Sequence, residues 1–470
     1  MMDFDESRRL DFNYLEKHRD LFPLMKNAGK AVYESIKDFY GGGKNVLFVC
    51  GKGNNGGDGL IAASLLSYEN RVRILLFTGP EGQIGELPSM AIREMKNASI
   101  IKNPSKDAVK NELGWAEVIV DALLGTGIKG NMREPYLSVI QEINRTGKPV
   151  ISVDIPSGLG SDVAIKPKIT VTFTDIKEGM DESNSGEIVL KNIGIDRSLI
   201  ENAGRGDMVF FPKYDPSTHK GMNGRLLIIG GWEHHGAGIM CAQASLRGLP
   251  DLVEVLVPER KYDVFASRLT DQMVSVYDED IMKKLASKST AILAGPGMGK
   301  SYEAVRAMEI IQKSGKYAVL DADAIRITGE AIIPVMENAI YTPHSEEFRV
   351  LSGYEADREN AERFARENRC VILLKGRTDI ITDGKRTIMS SGGTPRMATG
   401  GTGDVLAGLA AGLLARGMKP FRAAVLASMI NKKAAESLEK FSGYWWNTSD
   451  LIENLGPTMK EYYDYVNPRG

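Results

Sequence analysis

Short apolar runs separated by helix-like segments follow one another through the first part of the chain. The runs NVLFVC, RVRILLF and PVISVD are apolar almost throughout instead of alternating with polar positions, which is typical of strands buried on both faces of a sheet. Helix-like segments such as LIAASLL and PYLSVIQEIN lie between these runs. This alternation predicts a parallel sheet covered by helices on both sides.

The alternation breaks at residues 202–224, a segment rich in glycine, proline and polar residues, and then restarts. RLLIIGG, LVEVLVP and YAVLDADAI are among the new strand-like runs, and helices rich in glycine and alanine follow from Asp404 onward. A chain of 470 residues is also too long for one hydrophobic core. We therefore predict two α/β domains, residues 1–206 and 207–470, each with its own parallel core.

The composition of the chain mainly argues against certain classes of binding partner. The formal net charge of −2 gives no reason to expect a nucleic-acid or membrane surface. The three cysteines, Cys50, Cys241 and Cys370, are widely spaced and fit reduced core thiols better than a disulfide framework or a zinc site. The sequence begins without a hydrophobic signal region, and no apolar run approaches the roughly 20 residues that span a bilayer. These features predict a cytoplasmic protein with neither nucleic-acid nor membrane partners.

Glycine clusters after strand-like runs mark a first candidate site. GKGNNGGDG, which starts at Gly51, follows a predicted strand and predicts a loop before a helix, where backbone N–H groups can approach an anion. A tight turn without any ligand is the alternative. Asn55, Asp121, Asp154 and Ser157 lie at predicted carboxyl ends of strands, where open α/β sheets bind ligands. Their oxygens could hold a hard cation or a ribose, and a carboxylate could act as a general base.

A second glycine cluster precedes Asp404. The segment GGTPRMATGGTGD starts at Gly392 and leads into a predicted helix, so free N–H groups at the helix start would form an anion hole. Asp404 alone could be a simple N-cap, but a cap requires no such loop, and donors beside a carboxylate suit phosphoryl transfer. The segment AGPGMGKS at residues 294–301 nearly fits the phosphate-binding loop of P-loop NTPases. We do not favour that reading, because its first position is alanine and the rest of the domain fits another architecture.

GKGNNGGDG, DALLGTG and VDIPSG, with LMKNAGKAV before them and TVTF after them, resemble the NAD(P)H-hydrate epimerase domain over residues 10–195. The resemblance implies a Rossmann-like doubly wound fold, in which Asp154 binds the reacting hydrate as a catalytic residue. Lys26 stands where the family usually has an acidic residue, outside these loops. The resemblance implies potassium ligands at Asn55, Asp121 and Ser157, and a dinucleotide cradle made of Asn54, Asn55, Gly56, Gly57, Asp58, Gly125, Thr126, Gly127, Ile128, Lys129, Gly130 and Asn131.

HKGMNGRLLIIGG, AGPGMG, VLDADAI, TPHSEEF, ILLKG and ATGGTGDVLAG together resemble the ADP/ATP-dependent NAD(P)H-hydrate dehydratase family, whose fold is ribokinase-like, over residues 219–435. By this resemblance Asp404 is the catalytic acid/base. The hydrate site would comprise Gly238, Gly297, His344 and Asp404, and the nucleotide site Lys375, Gly376, Arg377, Thr378, Asp379, Gly400, Gly401, Thr402 and Gly403. Taken alone, a histidine after Thr-Pro is more often a turn or core residue. RGLPDLVEV, Thr394, Arg396 and KGRTD depart from the family pattern, which leaves the shape of the nucleotide pocket open.

These resemblances imply repair of hydrated nicotinamide cofactor. Hydration of NADH or NADPH leaves a hydroxyl at C6, and phosphorylating it before eliminating phosphate restores the ring. The second domain would do this to the S epimer with Mg²⁺ and ADP or ATP, giving AMP and phosphate from ADP, while the first domain interconverts the R and S epimers with K⁺. We expect a homo-oligomer by analogy with related folds. The alternatives are a ribokinase-like small-molecule kinase with a nucleotide-sensing first domain, and a non-catalytic dinucleotide-binding scaffold.

Overall fold

A computed structural model describes residues 2–79, 82–95, 97–125, 130–330 and 332–468. The chain divides into two compact units, residues 1–197 and 198–470. The division precedes the expected boundary after residue 206, because the backbone here already pairs within the second unit. The N–H of Ala203 donates to the carbonyl of Met389 at 2.9 Å.

The first unit contains a fully parallel sheet. In its described residues the strand order is β3-β2-β1-β4-β5-β6-β7, so the chain runs outward in one direction from β1 and then in the other from β4. This is the doubly wound, Rossmann-like order, and it confirms the predicted fold. The strands are β1 Asn45–Cys50, β2 Arg71–Leu76, β3 Ser99–Lys102, β4 Val118–Ala122, β5 Val150–Val153, β6 Ile169–Phe173 and β7 Glu187–Lys191.

Helices cover both faces of this sheet, and two separate apolar clusters fill the space beneath them. Strands β4, β5 and β6 are buried at every position, which explains why their sequences do not alternate between apolar and polar residues. The helices are α1 Phe4–His18, α2 Phe22–Tyr40, α3 Asn54–Leu66, α4 Glu86–Glu94, α5 Lys106–Trp115, α6 Tyr136–Arg145 and α7 Glu182–Ser185; α8 Arg197–Glu201 spans the division between the units.

The second unit repeats this winding and adds an antiparallel edge. The order of its described strands is β10-β9-β8-β11-β12-β13-β14-β15-β16, and only the β14–β15 and β15–β16 pairs are antiparallel. The predicted parallel core is confirmed, and the two antiparallel pairs extend it at one edge. The strands are β8 Arg225–Ile229, β9 Leu252–Val257, β10 Met273–Val276, β11 Ala291–Ala294, β12 Tyr317–Leu320, β13 Ile340–Tyr341, β14 Val371–Leu374, β15 Asp379–Thr382 and β16 Thr387–Ser390.

The helix predicted to follow Asp404 is buried along nearly its whole length and packs closely on the helix His235–Ser245. Its glycines permit the approach: a Cβ on Gly408 would lie 2.4 Å from the carbonyl oxygen of Cys241, and one on Gly412 would lie 2.1 Å from that of Ser245. The helices are α9 His235–Ser245, α10 Tyr262–Ala266, α11 Glu279–Lys288, α12 Tyr302–Ser314, α13 Asp323–Gly329, α14 Ser345–Ser352, α15 Arg358–Asn368, α16 Thr402–Ala415, α17 Pro420–Ser442 and α18 Thr448–Val466. None of the helices in the described ranges is long and apolar enough to cross a bilayer.

Candidate active sites

The first site lies where the winding of the first sheet changes direction. Strands β1 and β4 are neighbours, and the loops that follow them line a cleft of about 780 Å³. The predicted loop GKGNNGGDG is partly wrong, because helix α3 already begins at Asn54. Gly56 permits this early start, since a Cβ there would lie only 2.0 Å from the carbonyl oxygen of Gly51. The helix N-terminus therefore faces the cleft, as anion binding requires.

Most of the expected cradle lines this cleft. Its lining includes Asn54, Asn55, Gly56, Asp58, Gly125, Asn131 and Asp154. Gly57 has a different environment: a Cβ there would lie 2.3 Å from the Met25 Cε atom, so this glycine permits helix packing. Gly130 has a φ of 89° and is not among the described residues that line the cleft. Thr126, Gly127, Ile128 and Lys129 lie outside the described residues.

Asn55, Asp121 and Ser157 form one oxygen-rich group beside the cleft. Asp121 is fully buried, and its carboxylate accepts from the Ser157 hydroxyl at 2.5 Å and the Ser157 N–H at 2.8 Å. Burial raises the pKa of Asp121, although the hydrogen bonds from Ser157 oppose that rise. The Asn55 amide donates to the Leu124 carbonyl, which leaves its buried Oδ1 atom without a hydrogen-bond partner in the described part of the chain. An orphaned amide oxygen near a buried carboxylate fits a hard cation.

Asp154 is held at the cleft by a buried lysine. Its backbone has a φ of 61°, a left-handed conformation that is rare for a residue other than glycine. Lys177, which is 5% exposed, places its Nζ atom 2.7 Å from Asp154 Oδ1. The same ammonium donates to the Phe173 carbonyl at 2.8 Å. Residue spacing alone could not show this ion pair, although Lys177 lies shortly after the TVTF motif that contributes to the resemblance.

Two further carboxyls face the same cleft. Asp58 was expected there, but Asp11 on α1 was not, because nothing in the N-terminal helix pattern distinguishes it from a surface acid. Burial, then the charge of Asp154, raises the pKa of Asp11 to about 7. The same two causes raise the pKa of Asp58 well above its usual range. The cleft therefore contains carboxyls that can carry protons near neutral pH.

The second site lies at the equivalent switch between β8 and β11. Gly295 follows β11 in a turn so tight that a Cβ would lie 1.8 Å from the Asp321 carbonyl oxygen. The segment that resembles a P-loop is engaged internally: Gly299 N–H donates to Asp323, and Lys300 pairs with Glu330. Ser301 caps α12 through its hydroxyl oxygen. Gly299 and Ser301 therefore serve a local turn and a helix cap, which argues against the P-loop alternative.

Asp404 lies in the first turn of α16. The N-cap is Gly401, with a φ of 98°, so the alternative that Asp404 is merely an N-cap is wrong. The Thr402 hydroxyl donates to the Met397 carbonyl at 2.7 Å, which fixes the loop at the start of the helix. The anion hole expected from Gly400 to Gly403 stays a prediction, which the N-terminal position of these residues on the helix favours. Burial, then the nearby charge of Asp321, raises the pKa of Asp404 to about 7, although Lys375 opposes the rise.

Two carboxylates that the sequence reasoning missed surround Lys375. Its Nζ atom lies 2.9 Å from Asp321 Oδ1 and 3.7 Å from Glu347 Oε2. Asp321 is itself fixed by the Thr342 hydroxyl at 2.8 Å. Burial lowers the pKa of Lys375, but Asp321 and Glu347 outweigh burial and raise it. Asp321 and Glu347 belong to two motifs that contribute to the resemblance, VLDADAI and TPHSEEF. Only the fold brings these two residues to Lys375.

His344 caps helix α14. Its Nδ1 atom accepts from the N–H groups of Glu346 at 3.2 Å and Glu347 at 3.3 Å, and its side chain is 44% exposed. This geometry gives His344 a structural role at the turn and leaves its hydrate contact a prediction. Gly238 and Gly297 permit close packing: a Cβ on Gly238 would lie 2.8 Å from the Gly230 carbonyl oxygen, and one on Gly297 would lie 2.6 Å from that of His234.

Hydrogen bonds and an ion pair of Asp379 hold the loop that follows Lys375. Gly376, Arg377 and Thr378 are exposed, but Asp379 is buried, and its carboxylate accepts from the Gly376 N–H at 2.9 Å and from the Ser428 hydroxyl at 2.6 Å. Its Oδ1 atom also lies 3.1 Å from the buried ammonium of Lys432. Asp379 therefore shapes the predicted nucleotide loop, and its own contact with a nucleotide stays a prediction.

Comparison with known proteins covers both units. Residues 226–457 match the family described as NAD(P)H-hydrate dehydratase, and residues 22–179 match the family described as YjeF-related protein N-terminus. A bifunctional NAD(P)H-hydrate repair enzyme from Pyrobaculum aerophilum is 36% identical, with 93% of this chain and 94% of that protein covered. One from Methanothermobacter thermautotrophicus is 34% identical, with 93% and 91% covered. The chain belongs to the bifunctional NAD(P)H-hydrate repair enzyme family.

Solved structures confirm the ribokinase-like fold of the second unit. A ribokinase-like superfamily protein from Enterococcus faecalis superposes with a TM-score of 0.52 at 23% identity, covering 56% of this chain and 96% of that one. The ADP/ATP-dependent NAD(P)H-hydrate dehydratase from Bacillus subtilis, co-crystallised with ATP and Mg²⁺, gives a TM-score of 0.50 at 23% identity, covering 56% and 99%. Family membership across both units favours a repair enzyme over the small-molecule kinase and the non-catalytic scaffold.

Proposed function

We propose that this protein repairs hydrated NADH and NADPH in two steps. The first unit interconverts the R and S epimers of the hydrate, and the second dehydrates the S epimer at the expense of ADP or ATP. The observation that carries the proposal is the match to bifunctional repair enzymes over 93% of the chain, which spans both sites. We also propose a cytoplasmic location and a homo-oligomeric assembly.

The second site supports phosphorylation followed by elimination. The N-terminal N–H groups of α16 would bind phosphate oxygens, and Lys375 would add positive charge beside them. Mg²⁺ with ADP or ATP would supply the phosphoryl group. Asp404 would accept the proton of the C6 hydroxyl as the new O–P bond forms. With a pKa of about 7, this carboxyl can take and return a proton near neutral pH.

The first site supports epimerisation. The N-terminus of α3 would hold the pyrophosphate, and Asp154 would contact the hydrated ring in the cleft. Asn55, Asp121 and Ser157 would hold K⁺, whose charge would offset the buried carboxylate and fix the adjoining loop. The orphaned Asn55 Oδ1 atom supports this assignment.

A direct test uses a mixture of both hydrate epimers with Mg²⁺, K⁺ and either ADP or ATP. We expect complete recovery of reduced-nicotinamide absorbance with at least one nucleotide. An Asp154→Asn variant should recover only the S epimer, apart from slow spontaneous epimerisation. No recovery with either nucleotide would overturn the repair function.

Potassium should stabilise the wild-type chain. If Asn55 Oδ1 is a ligand, K⁺ at ten times its Kd should add about 1.4 kcal/mol to the free energy of unfolding of the first unit. Thermal unfolding in KCl and in NaCl at equal ionic strength measures this difference. Asn55→Leu should abolish the difference between the two salts. A wild type that unfolds identically in both salts would contradict the potassium assignment.

The pH dependence of dehydration should shift in Asp321→Asn. Removing this carboxylate takes away a charge that raises the pKa of Asp404 and frees Lys375 to lower it. As a base, Asp404 must be ionised, so kcat/KM should rise with pH through about 7 in the wild type. In the variant this rise should occur at least about one pH unit lower. Asp280→Asn, at a residue whose side chain is 90% exposed, is the matched control; an unchanged profile in Asp321→Asn would exclude this coupling.

A further inference from the structure

Among the described residues, three carboxyls line the epimerase cleft, whose cationic residues are Arg8, Lys52, Arg133 and Lys177. Asp11, Asp58 and Asp154 all line the cleft, together with Lys177. The Lys177 ammonium has three N–H donors and already has Asp154 Oδ1 at 2.7 Å, Thr172 Oγ1 at 3.2 Å and two backbone carbonyls within 3.2 Å. Its donors are therefore committed, and it has none left for a second carboxyl.

The start of α1 is fastened to the segment that carries Lys177. The Met2 N–H donates to the Ile176 carbonyl at 2.9 Å, and the Glu178 N–H donates to the Met2 carbonyl at 2.9 Å. This short parallel bridge leads directly into α1, whose inner face buries Leu10. The next residue, Asp11, is thereby held at the wall of the cleft and is not left on a loose terminus.

The Asp11 carboxyl makes no hydrogen bond or ion pair with any residue that the structure describes. The charged groups that act on it are Arg8 from its own helix, and Asp154, Lys177 and Asp58 from the elements around it. Burial and the charge of Asp154 together raise the pKa of Asp11 to about 7, against the opposing charges of Lys177 and Arg8. Asp154 is paired with an ammonium, whereas Asp11 has no such partner among the described residues. Asp11 is thus a carboxyl of the cleft that is suited to donate a proton.

We propose that Asp11 is a catalytic acid of epimerisation, which protonates the C6 hydroxyl of the hydrate as that hydroxyl departs. This proposal rests on the epimerase function proposed above and adds the group that drives the reaction. Asp154, held by Lys177, remains the acceptor that orients the ring.

The step balances without a further reactant. C6 is bonded to the ring nitrogen, whose lone pair forms a C6=N bond as the C6–O bond breaks. The electron pair of the broken bond leaves with the oxygen, and the proton from Asp11 converts that oxygen to water. Water then adds to the opposite face of C6, the π electrons return to nitrogen, and the proton released by the adding water restores the acid. Nothing is oxidised or reduced, and only the configuration at C6 changes.

The test follows R-to-S conversion by chromatography in the full-length protein without ADP or ATP, so that dehydration does not run. After subtraction of the spontaneous rate, Asp11→Asn should reduce the epimerisation kcat by about 10²–10⁴-fold. The wild-type kcat should fall as pH rises above about 7, because the protonated carboxyl is lost, and Asp11→Asn should lack this fall. Asp11→Glu should recover part of the rate together with the fall.

Two controls separate catalysis from folding. Dehydration of the S epimer by the second unit of the same chain should be unchanged in Asp11→Asn, and Asp38→Asn, at an exposed residue of α2, should epimerise like the wild type. An Asp11→Asn variant that is as active as the wild type, or that keeps the same alkaline fall, would overturn the role of Asp11 alone. A wild type that epimerises neither hydrate would overturn the epimerase assignment itself.

Discussion

Asp404→Asn should nearly abolish dehydration and at the same time stabilise the second unit. The substitution removes the carboxyl that exchanges the hydroxyl proton, so turnover should fall by about 10²–10⁴-fold. It also removes an acid whose pKa is raised from 3.8 to about 7 in the folded chain. Folding then opposes ionisation, so the cost is absent below pH 3.8 and fully present above pH 7. An upper estimate of that cost is roughly 4 kcal/mol.

The expected gain in stability fixes the direction in which the unfolding temperature should change. Thermal unfolding of the wild type and Asp404→Asn should coincide near pH 4 and separate as the pH rises, with the variant more stable at pH 8. Epimerisation by the first unit should be unaffected, and Asp280→Asn should show neither effect. Turnover near the wild-type rate would remove Asp404 from the mechanism. Equal stability at pH 8 would show that the carboxyl is not strained by its burial.

The main strands of both sheets were predictable because parallel strands buried on both faces leave unbroken apolar runs. The two strands that the sequence reasoning missed, Met273–Val276 and Thr387–Ser390, lie at the edges of the second sheet and are only partly buried. Their sequences, MVSV and TIMS, are only four residues long and include polar residues, so they are not recognisable as unbroken apolar runs. The start of α3 at Asn54 was also missed, because glycines that normally indicate a loop here permit close packing inside a helix.

The sequence predicts site residues that directly follow a strand, but not residues that a distant part of the chain brings to the site. Asn55, Asp121 and Ser157 come together because neighbouring parallel strands end at the same edge. Asp11 and Asp321 differ, because each interacts with charged residues that are distant along the chain. Asp11 acts beside Asp154 and Lys177, and no local periodicity encodes a contact of that kind.

Lys177→Met should be among the most destabilising single changes in the first unit. The substitution leaves Asp154 as a charge without its partner and removes the donor of the Phe173 and Asp175 carbonyls. Breaking one side of a buried ion pair costs about 3–5 kcal/mol. We expect the unfolding midpoint of the first unit to fall accordingly and epimerisation to be lost, while the second unit still dehydrates the S epimer. Lys110→Met, at an exposed residue of α5, is the matched control.

Combining Lys177→Met with Asp154→Asn separates the two roles of the pair. The double variant no longer buries an unpaired carboxylate, so it should recover a large part of the stability that Lys177→Met alone loses. Epimerisation should stay absent, because the acceptor for the hydrated ring is gone. If stability does not recover, the lysine contributes mainly through the backbone carbonyls of Phe173 and Asp175 and not through Asp154. If epimerisation returns with stability, Asp154 serves the fold alone, and the acceptor must be sought among the other carboxyls of the cleft.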